Sequence, residues 1–229
     1  MVASEVESVD VSEFREMRGG VVRIGIIGSG HIGGTLARLL VTAGHEVVVS
    51  NSRGPDTLHV LADELGPNSR AATPQEAAEW GEVVVVSVPL GRYREIPQAG
   101  LAGKVVIDTN NYYPGRDGQM EELDSDRTTG SELLQQHLSD ARVVKAFNGI
   151  NWEHLRDQGR PKGDPRRVAI PISGDDPEAK RLIADLIDQI GFDSVDAGGL
   201  GEGGRKHQVG SKVYGKLLSA AEMRAQLST

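Results

Sequence analysis

The chain has 229 residues, a formal net charge of −8 and no cysteine. This length suffices for one large domain with a sizeable core. The lack of cysteine excludes disulfides, thiolate metal sites and cysteine nucleophiles, and the acidic balance argues against a nucleic-acid partner, which requires basic patches.

The first twenty residues predict an acidic tail ahead of the folded domain. They carry five acidic side chains and two arginines, so the tail contributes −3 and the remainder −5. We expect residues 1–20 to be flexible, with a short helix near residues 12–18, and residues 21–229 to form the domain. The chain lacks the pattern of a signal peptide and any run near the roughly 18 apolar residues of a membrane span. We therefore expect a soluble, cytoplasmic protein with no membrane partner.

The segment after the tail has the pattern of a strand, a glycine turn and a helix. An apolar run over residues 21–27 leads into Gly28-Ser29-Gly30-His31-Ile32-Gly33. Gly28 permits the tight turn, Gly30 lets the backbone approach a pyrophosphate, and Gly33 lets helix and strand pack closely. Such a helix N-terminus offers free N–H groups and a partial positive charge to phosphates. In a weaker interpretation, the glycines merely join a strand to a helix.

The residues that follow the second predicted strand indicate which dinucleotide binds. Proteins that prefer NAD place Asp or Glu about 20 residues after the glycine turn, where it holds the ribose 2′-hydroxyl. This chain has Asn51, Ser52 and Arg53 there, with no carboxylate. A hydroxyl and a guanidinium suit a 2′-phosphate, because arginine pairs with the dianion and stacks on adenine. The sequence therefore predicts NADP(H) rather than NAD(H).

The rest of the chain alternates strands and helices. Apolar runs predict strands at residues 82–89, 104–108, 141–145, 168–172 and 192–195. Helices are predicted over residues 32–43 and 57–65, and after the cap residues Thr73, Thr129 and Asp176. Pro171 indicates that its strand lies at a sheet edge. The repeated units predict an α/β protein: a Rossmann-type, doubly wound, mostly parallel sheet in a single domain.

Three loops that follow predicted strands are candidates for contact with a second ligand. Ligands of open α/β sheets bind beyond the carboxyl ends of the strands. The loops contain Val88-Pro89-Leu90, Asn110-Asn111-Tyr112-Tyr113 and Phe147-Asn148 with Trp152. Their amide and aromatic side chains suit a flat heteroaromatic ring. Alternatively, the asparagines only shape a turn and the aromatic residues only fill the core.

Familiar catalytic constellations are missing from the sequence. Nothing resembles a serine triad, and the six histidines have no spacing typical of a metal site. His31 lies in the phosphate turn, where its main-chain N–H matters more than its ring. We therefore expect no metal and no catalytic side chain, which favours direct hydride transfer between two ligands that the protein aligns.

Four segments together resemble the F420-dependent NADP oxidoreductases. They are Gly-Ser-Gly-His-Ile-Gly-Gly-Thr-Leu-Ala from residue 28, Ser-Asn-Ser-Arg-Gly from 50, Val-Val-Lys-Ala-Phe-Asn from 143 and Asp-Ser-Val-Asp-Ala-Gly from 193. The resemblance extends over residues 21–214. It implies NADP(H) in the glycine crevice, coenzyme F420 as second substrate, and hydride transfer between the nicotinamide and the deazaflavin.

The same resemblance implies roles for individual residues. Four residues fall at the pyrophosphate: Ser29, Gly30, His31 and Ile32. Ser52 and Arg53 fall at the 2′-phosphate. The residues implied beside the nicotinamide are Val88 and Ala146, with Pro89 and Leu90 nearby, and those facing the second ligand are Phe147 and Asn148. Residues 198–207 depart from the family pattern, and we expect a looser, basic segment there.

Other functions remain open at the level of sequence. An NADPH-dependent reductase could use another acceptor: a flavin, a ferric chelate, an imine or a carbonyl compound. A non-catalytic NADP(H)-sensing module would bind the dinucleotide without turnover. The expected partner is a small deazaflavin or flavin-like molecule, and the resemblance together with the long loops favours a homodimer.

Overall fold

A computed structural model describes residues 20–228 of the chain. The described residues form eight strands: β1 (Arg23–Ile27), β2 (Glu46–Ser50), β3 (Ser69–Ala72), β4 (Val83–Val86), β5 (Val105–Asp108), β6 (Arg142–Lys145), β7 (Ala169–Gly174) and β8 (Asp193–Gly198). All eight belong to one sheet in the order β3-β2-β1-β4-β5-β6-β7-β8. The predicted acidic tail and its short helix lie outside the described residues, apart from Gly20.

The same residues form ten α-helices: α1 (His31–Thr42), α2 (His59–Leu65), α3 (Pro74–Trp80), α4 (Pro114–Asp117), α5 (Glu121–Asp124), α6 (Gly130–His137), α7 (Trp152–Asp157), α8 (Pro177–Gln189), α9 (Leu200–His207) and α10 (Ala220–Leu227). Two 3₁₀ helices, Pro55–Leu58 and Leu90–Glu95, follow β2 and β4. Among these described helices, none is both long enough and apolar enough to cross a membrane.

Helices cover both faces of the sheet, as the doubly wound prediction requires. Ile24 and Val83 belong to one buried cluster, which also contains residues of α1 and α8. Ile27 and Val84 belong to a second cluster, with residues of α3 and α6. Because side chains alternate between the faces of a strand, an all-apolar strand is buried on both sides. The predicted Rossmann-type α/β fold is confirmed.

β7 differs from the prediction in its position, and the direction of the sheet reverses at β7, so that β7 and β8 run opposite to the other six strands. β7 runs antiparallel to β6 and is not an edge strand, because β8 pairs with it on the other side. Its pairing with β6 is confined to Ser173 and Gly174, so Pro171 lies beyond it. On that side the Ala169 N–H donates to the carbonyl of Leu218 instead. The edge prediction is wrong, and proline is tolerated because no sheet hydrogen bond is lost there.

The predicted cap residues begin helices as expected. Thr73 and Thr129 each form a reciprocal capping box with the glutamate three residues later, and the Asp176 carboxylate caps α8. The segment expected to be loose, residues 198–207, instead contains α9. A Cβ atom at Gly203 would lie 2.9 Å from the Ala197 carbonyl, so glycine allows α9 to lie directly against β8.

Candidate active site

A cleft of about 340 Å³ lies at the carboxyl ends of β1, β4, β5 and β6. Seven of the predicted site residues line it: Gly30, His31, Ile32, Val88, Pro89, Asn110 and Asn148. The cleft opens where the strand order reverses between β1 and β4, which is where open α/β sheets bind ligands. A wider depression of about 510 Å³ surrounds Trp80 at the amino ends of the strands and holds none of the predicted residues.

The glycine turn leaves space at the N-terminus of α1. Gly28 has a φ of 106°, and a Cβ atom there would lie 2.0 Å from the Ser87 carbonyl oxygen. At Gly33 it would lie 1.9 Å from the Gly28 oxygen, whereas at Gly30 it would meet no atom within 4 Å. Gly28 and Gly33 therefore serve the protein's own packing, and Gly30 faces open space. Since the first turn of α1 has no acidic side chain, this helix end fits a pyrophosphate.

The loop after β2 presents a hydroxyl and a guanidinium to solvent. Asn51 is buried; its Nδ2 donates to the Thr57 hydroxyl at 2.9 Å, and its Oδ1 accepts the Arg53 N–H at 2.8 Å. Asn51 thus shapes the loop, while the side chains of Ser52 and Arg53 are exposed. This donor set, with no carboxylate before Asp56, fits the 2′-phosphate of NADP(H).

Arg92 is a functional candidate that the sequence analysis did not include among the site residues. Its Nη1 donates to the Ser52 hydroxyl at 3.2 Å, and the same guanidinium pairs with Glu95. Arg92 follows β4, and β4 and β2 approach one another only because both flank β1 in the sheet. An anion beside Ser52 would therefore meet a second guanidinium besides that of Arg53.

Asparagine side chains line the wall opposite the glycine turn. The Oδ1 of Asn110 accepts the Val88 N–H at 2.9 Å, and its buried Nδ2 has no hydrogen-bond partner. The Nδ2 of Asn148 donates to Asn111 Oδ1 at 3.2 Å and to the His207 carbonyl at 2.8 Å. Because buried polar atoms normally have partners, the Asn110 Nδ2 is an unsatisfied donor on a residue that lines the cleft.

Two tyrosines complete this wall: Tyr113, which the sequence analysis placed in a candidate loop, and Tyr214, which it did not propose. The hydroxyl oxygens of Tyr113 and Tyr214 lie 2.5 Å apart, and Asn111 Nδ2 donates to the Tyr214 hydroxyl at 3.3 Å. The Arg116 guanidinium lies 4.9 Å from the Tyr113 ring centroid and donates to the Asn111 carbonyl at 2.7 Å. Burial, followed by the hydrogen bond with Tyr113, raises the pKa of Tyr214 above its usual range.

An aromatic stack links the glycine turn to the loop after β6. The rings of His31 and Trp152 stack with centroids 4.8 Å apart, and both residues line the cleft. The Arg156 guanidinium lies 5.2 Å from the Trp152 ring centroid. His31 therefore contributes a side-chain contact that closes one end of the cleft, in addition to its main-chain position in the turn.

Buried charged groups fix the main chain of Asn110. The Lys145 ammonium donates to the Asn110 carbonyl at 3.2 Å and to the Ser131 hydroxyl at 3.0 Å, and lies 4.0 Å from the Asp108 carboxylate. The other oxygen of Asp108 accepts the Asn110 N–H at 2.9 Å. Burial lowers the pKa of Lys145, while Asp108 opposes that shift.

A buried histidine supports Asn148. The ring of His207 lies 2.9 Å from the Ser173 hydroxyl and 2.9 Å from Asn148 Oδ1. Burial, with a smaller contribution from the Lys145 charge, lowers the pKa of His207 to about 3. The ring is thus neutral near pH 7. The sequence placed His207 in a loose segment, and only its position on α9 shows that it lies beneath the cleft.

Among the residues predicted beside the nicotinamide or the second ligand, three have side chains that do not line the cleft. Leu90 and Ala146 are buried in the core, and Leu90 packs beside Gly130 at the start of α6. Phe147 is also buried, at 3% exposure, and its φ of 61° marks a tight turn after β6. The Phe147 ring joins the core cluster that contains α1 and α8. The expectation that it faces a second ligand therefore does not hold for its side chain.

Metal ligands are not clustered in the part of the chain that the structure describes. Among residues 20–228, no group of three or more histidine, aspartate or glutamate side chains could hold a metal ion. The side chains at the cleft are amides, phenols, hydroxyls, an imidazole, an indole, a guanidinium and apolar groups, which are suited to holding and orienting organic ligands.

Comparisons with known proteins agree with this geometry. Residues 23–112 match the family model described as NADP oxidoreductase, coenzyme F420-dependent. The F420-dependent NADP reductase of Methanothermobacter marburgensis is 29% identical over 191 residues, which cover 76% of this chain and 82% of that protein. Metalloreductase STEAP3 of Rattus norvegicus is 32% identical over 180 residues, which cover 78% of this chain and 34% of the relative. The chain thus spans about a third of the length of that relative.

A solved structure is similar over most of the fold. A proposed F420-dependent NADP reductase from Arthrobacter sp. FB24 superposes with a TM-score of 0.67 at 28% identity, covering 78% of this chain and 86% of that one. The family match, the curated relatives and this structure agree with the glycine turn and the NADP-type loop after β2. Over residues 23–112 the chain is similar to the F420-dependent NADP oxidoreductases, and a reductase and a solved structure described in the same terms are similar over more than three quarters of it.

Proposed function

We propose that this protein transfers a hydride between NADP(H) and the deazaflavin coenzyme F420. The observation that carries the proposal is one cleft with two differently built walls. Main-chain groups at the N-terminus of α1 form the first wall, and amides and phenols after β5 and β6 form the second. A volume of about 340 Å³ is within the range of about 300–1,000 Å³ typical of small-molecule sites.

On the nucleotide side, the protein binds phosphates and orients the reactive ring. The N–H groups of the first turn of α1 hold the pyrophosphate, and Ser52, Arg53 and Arg92 hold the 2′-phosphate. Bound NADPH supplies the hydride. Val88 and Pro89 line the cleft beside the turn, where they keep water away from the reacting atoms.

On the acceptor side, the protein aligns a flat ring. The unpartnered Asn110 Nδ2 binds a carbonyl oxygen, and Asn148 is held in place by Asn111 and His207. Holding two reactants in a productive arrangement supplies much of the rate enhancement for such a transfer. The similarity to a relative named as an F420-dependent NADP reductase, which covers 76% of this chain, supports F420 as the acceptor.

A second candidate function has support from a different relative. Similarity to a metalloreductase at 32% identity favours the same NADPH half with a ferric chelate or a flavin as acceptor. This alternative preserves the roles of Ser52, Arg53 and Arg92, and changes only what enters the second half of the cleft.

The test is to mix purified protein and NADPH with one acceptor at a time: oxidised F420, flavin mononucleotide or a ferric chelate. We expect loss of the deazaflavin absorbance at a rate proportional to protein concentration, and a rate greatly reduced in Arg53→Ala. Arg181→Ala, an exposed arginine on α8, is the matched control and keeps the wild-type rate. Turnover with flavin or ferric chelate alone would replace F420 by that acceptor, and NADPH binding without turnover would indicate a sensing module.

A further inference from the structure

We propose that the Tyr113–Tyr214 pair donates a hydrogen bond, and during reduction a proton, to a heteroatom of a flat two-electron acceptor in the cleft. This inference rests on the proposed function, because it assigns a role toward the acceptor that receives the hydride. It adds a catalytic group to a site in which the sequence indicated none.

Counting protons shows that the pair has one donor to spare. Each phenol carries one O–H, and the 2.5 Å contact between the hydroxyl oxygens of Tyr113 and Tyr214 uses one of the two. The Asn111 amide also donates to the Tyr214 oxygen, so that contact consumes a lone pair and not a proton. Whichever phenol donates to its partner, the other keeps an O–H that the described contacts do not use.

The spare donor lies where a ligand would meet it. Both tyrosines line the cleft, on the same wall as Asn110 and beside Asn111. The pair joins two distant parts of the chain, since Tyr113 follows β5 and Tyr214 follows α9. A hydroxyl contact between such distant segments fixes both phenols relative to the cleft.

Neighbouring donors stabilise the charge that proton donation creates. The Arg116 guanidinium is close to the Tyr113 ring, and the Asn111 amide donates to the Tyr214 oxygen. A phenolate on either residue would share the remaining proton across the short contact between the two oxygens. Burial outweighs these donors and raises the pKa of Tyr214, so this phenol keeps its proton near pH 7 and begins the reaction as a donor.

The chemistry balances without any further reactant. Two-electron reduction adds a hydride to an electrophilic atom, which is carbon in a deazaflavin or carbonyl and nitrogen in a flavin, and adds a proton to the conjugated nitrogen or oxygen. NADPH supplies the hydride and becomes NADP⁺. The tyrosine pair supplies the proton, breaking one phenolic O–H bond, and the resulting phenolate takes a proton back from solvent. Reduction of two ferric chelates by one NADPH takes up no proton and instead releases one.

The experiment replaces both hydroxyls and leaves the rings in place. The variant Tyr113→Phe/Tyr214→Phe is compared with wild type and with Tyr93→Phe, whose residue lies in the 3₁₀ helix Leu90–Glu95 and does not line the cleft. The readouts are the affinity for NADPH, the affinity of the NADP⁺-bound protein for oxidised F420 or flavin mononucleotide, and the single-turnover rate in H₂O and D₂O at saturating ligands.

We expect unchanged NADPH affinity and acceptor binding about tenfold weaker, as for loss of one hydrogen bond. Hydride transfer to F420 or flavin falls about 100-fold, the scale of general acid catalysis. The double variant has a solvent isotope effect different from that of the wild type, and its reduction of a ferric chelate is unaffected. Tyr93→Phe behaves as wild type in every measurement.

A single-turnover loss smaller than tenfold in the double variant overturns the inference and leaves the proposed function intact. If the double variant no longer binds NADPH, the single variants decide, and at least one must lose tenfold or more. A wild-type protein that does not reduce F420 overturns the proposed function itself, which is a different result from an active enzyme indifferent to the two hydroxyls.

Discussion

The two walls of the cleft are built in different ways. Most of the nucleotide wall comes from one continuous stretch, from β1 to the loop after β2, with Val88, Pro89 and Arg92 added from the segment after β4. It relies on glycine positions and main-chain N–H groups. The acceptor wall joins residues from the loops after β5 and β6 and from beyond α9, and rests on buried charges. We infer that changes in the first wall alter binding with little effect on stability, unless they touch its packed glycines. Changes beneath the second wall alter stability as well.

The sharpest test of this contrast is Lys145→Met. Removing the ammonium leaves the Asp108 carboxylate, which has no solvent exposure, without its cation. We expect the free energy of unfolding to fall by about 3–5 kcal/mol, measured by urea denaturation. The control Lys145→Met/Asp108→Asn removes both charges and should recover part of the loss. A decrease below about 1 kcal/mol in the single variant would contradict the structural role assigned to this pair.

On the nucleotide wall, Arg53→Asp should act on binding alone. The variant replaces a charged hydrogen bond with repulsion, so NADPH affinity should fall about 100-fold, as measured by titration. The affinity for NADH, which lacks the 2′-phosphate, should change much less, and the exposed side chain predicts an unchanged midpoint of unfolding. If NADPH affinity hardly moves, the 2′-phosphate is bound elsewhere.

Substitutions of two glycines in the same turn, Gly30 and Gly33, allow the effect on packing to be measured separately from the effect on ligand binding. Gly33→Ala would place a Cβ atom 1.9 Å from the Gly28 oxygen, so we expect about 1–3 kcal/mol of destabilisation together with weaker NADPH binding. Gly30→Ala meets no protein atom within 4 Å and should keep wild-type stability while binding NADPH more weakly. Equal stability losses in the two variants would show that Gly30 also serves the fold.

A further effect concerns pH and the acceptor wall. The pKa of His207 is about 3 in the folded protein, against 6.5 for the ordinary side chain. Between these values the unfolded chain binds a proton that the folded chain does not, so stability is complete above about pH 6.5 and falls as pH decreases, by about 1.4 kcal/mol per unit. Unfolding free energies at pH 4 to 7 should show a shallower slope for His207→Gln. An unchanged slope would mean that another group is responsible.

Much of the nucleotide wall could be predicted because its signals are local. The glycine turn, the apolar strands and the capping boxes at Thr73 and Thr129 each lie within a few residues of the structure that they specify. The short strand β3 was missed because Ser-Arg-Ala-Ala lacks an apolar run. The helix α9 was missed because its glycines weaken helical propensity, and only packing against β7 and β8 compensates.

The acceptor wall was less accessible to sequence analysis because its contacts join distant parts of the chain. Asn110 and Asn148 were identified from their positions after strands, but the pairing of Tyr113 with Tyr214 spans 101 residues. That pairing depends on the reversal of strand direction at β7, which no local sequence pattern predicts. Arg92 reaches Ser52 for a similar reason, since strand order, not sequence distance, brings them together.

The reversal of β7 also bears on how this protein's chemistry can evolve. Because β7 runs against β6, the chain returns to the cleft, and its later segment supplies Tyr214. That segment is fastened by main-chain bonds from Gly215 to Gly149 and from Ala169 to Leu218. This segment is held by its own main-chain hydrogen bonds and is separate from the residues that contact the dinucleotide. We therefore expect substitutions within residues 208–218 to change the preference for the acceptor and to leave NADP(H) binding unchanged.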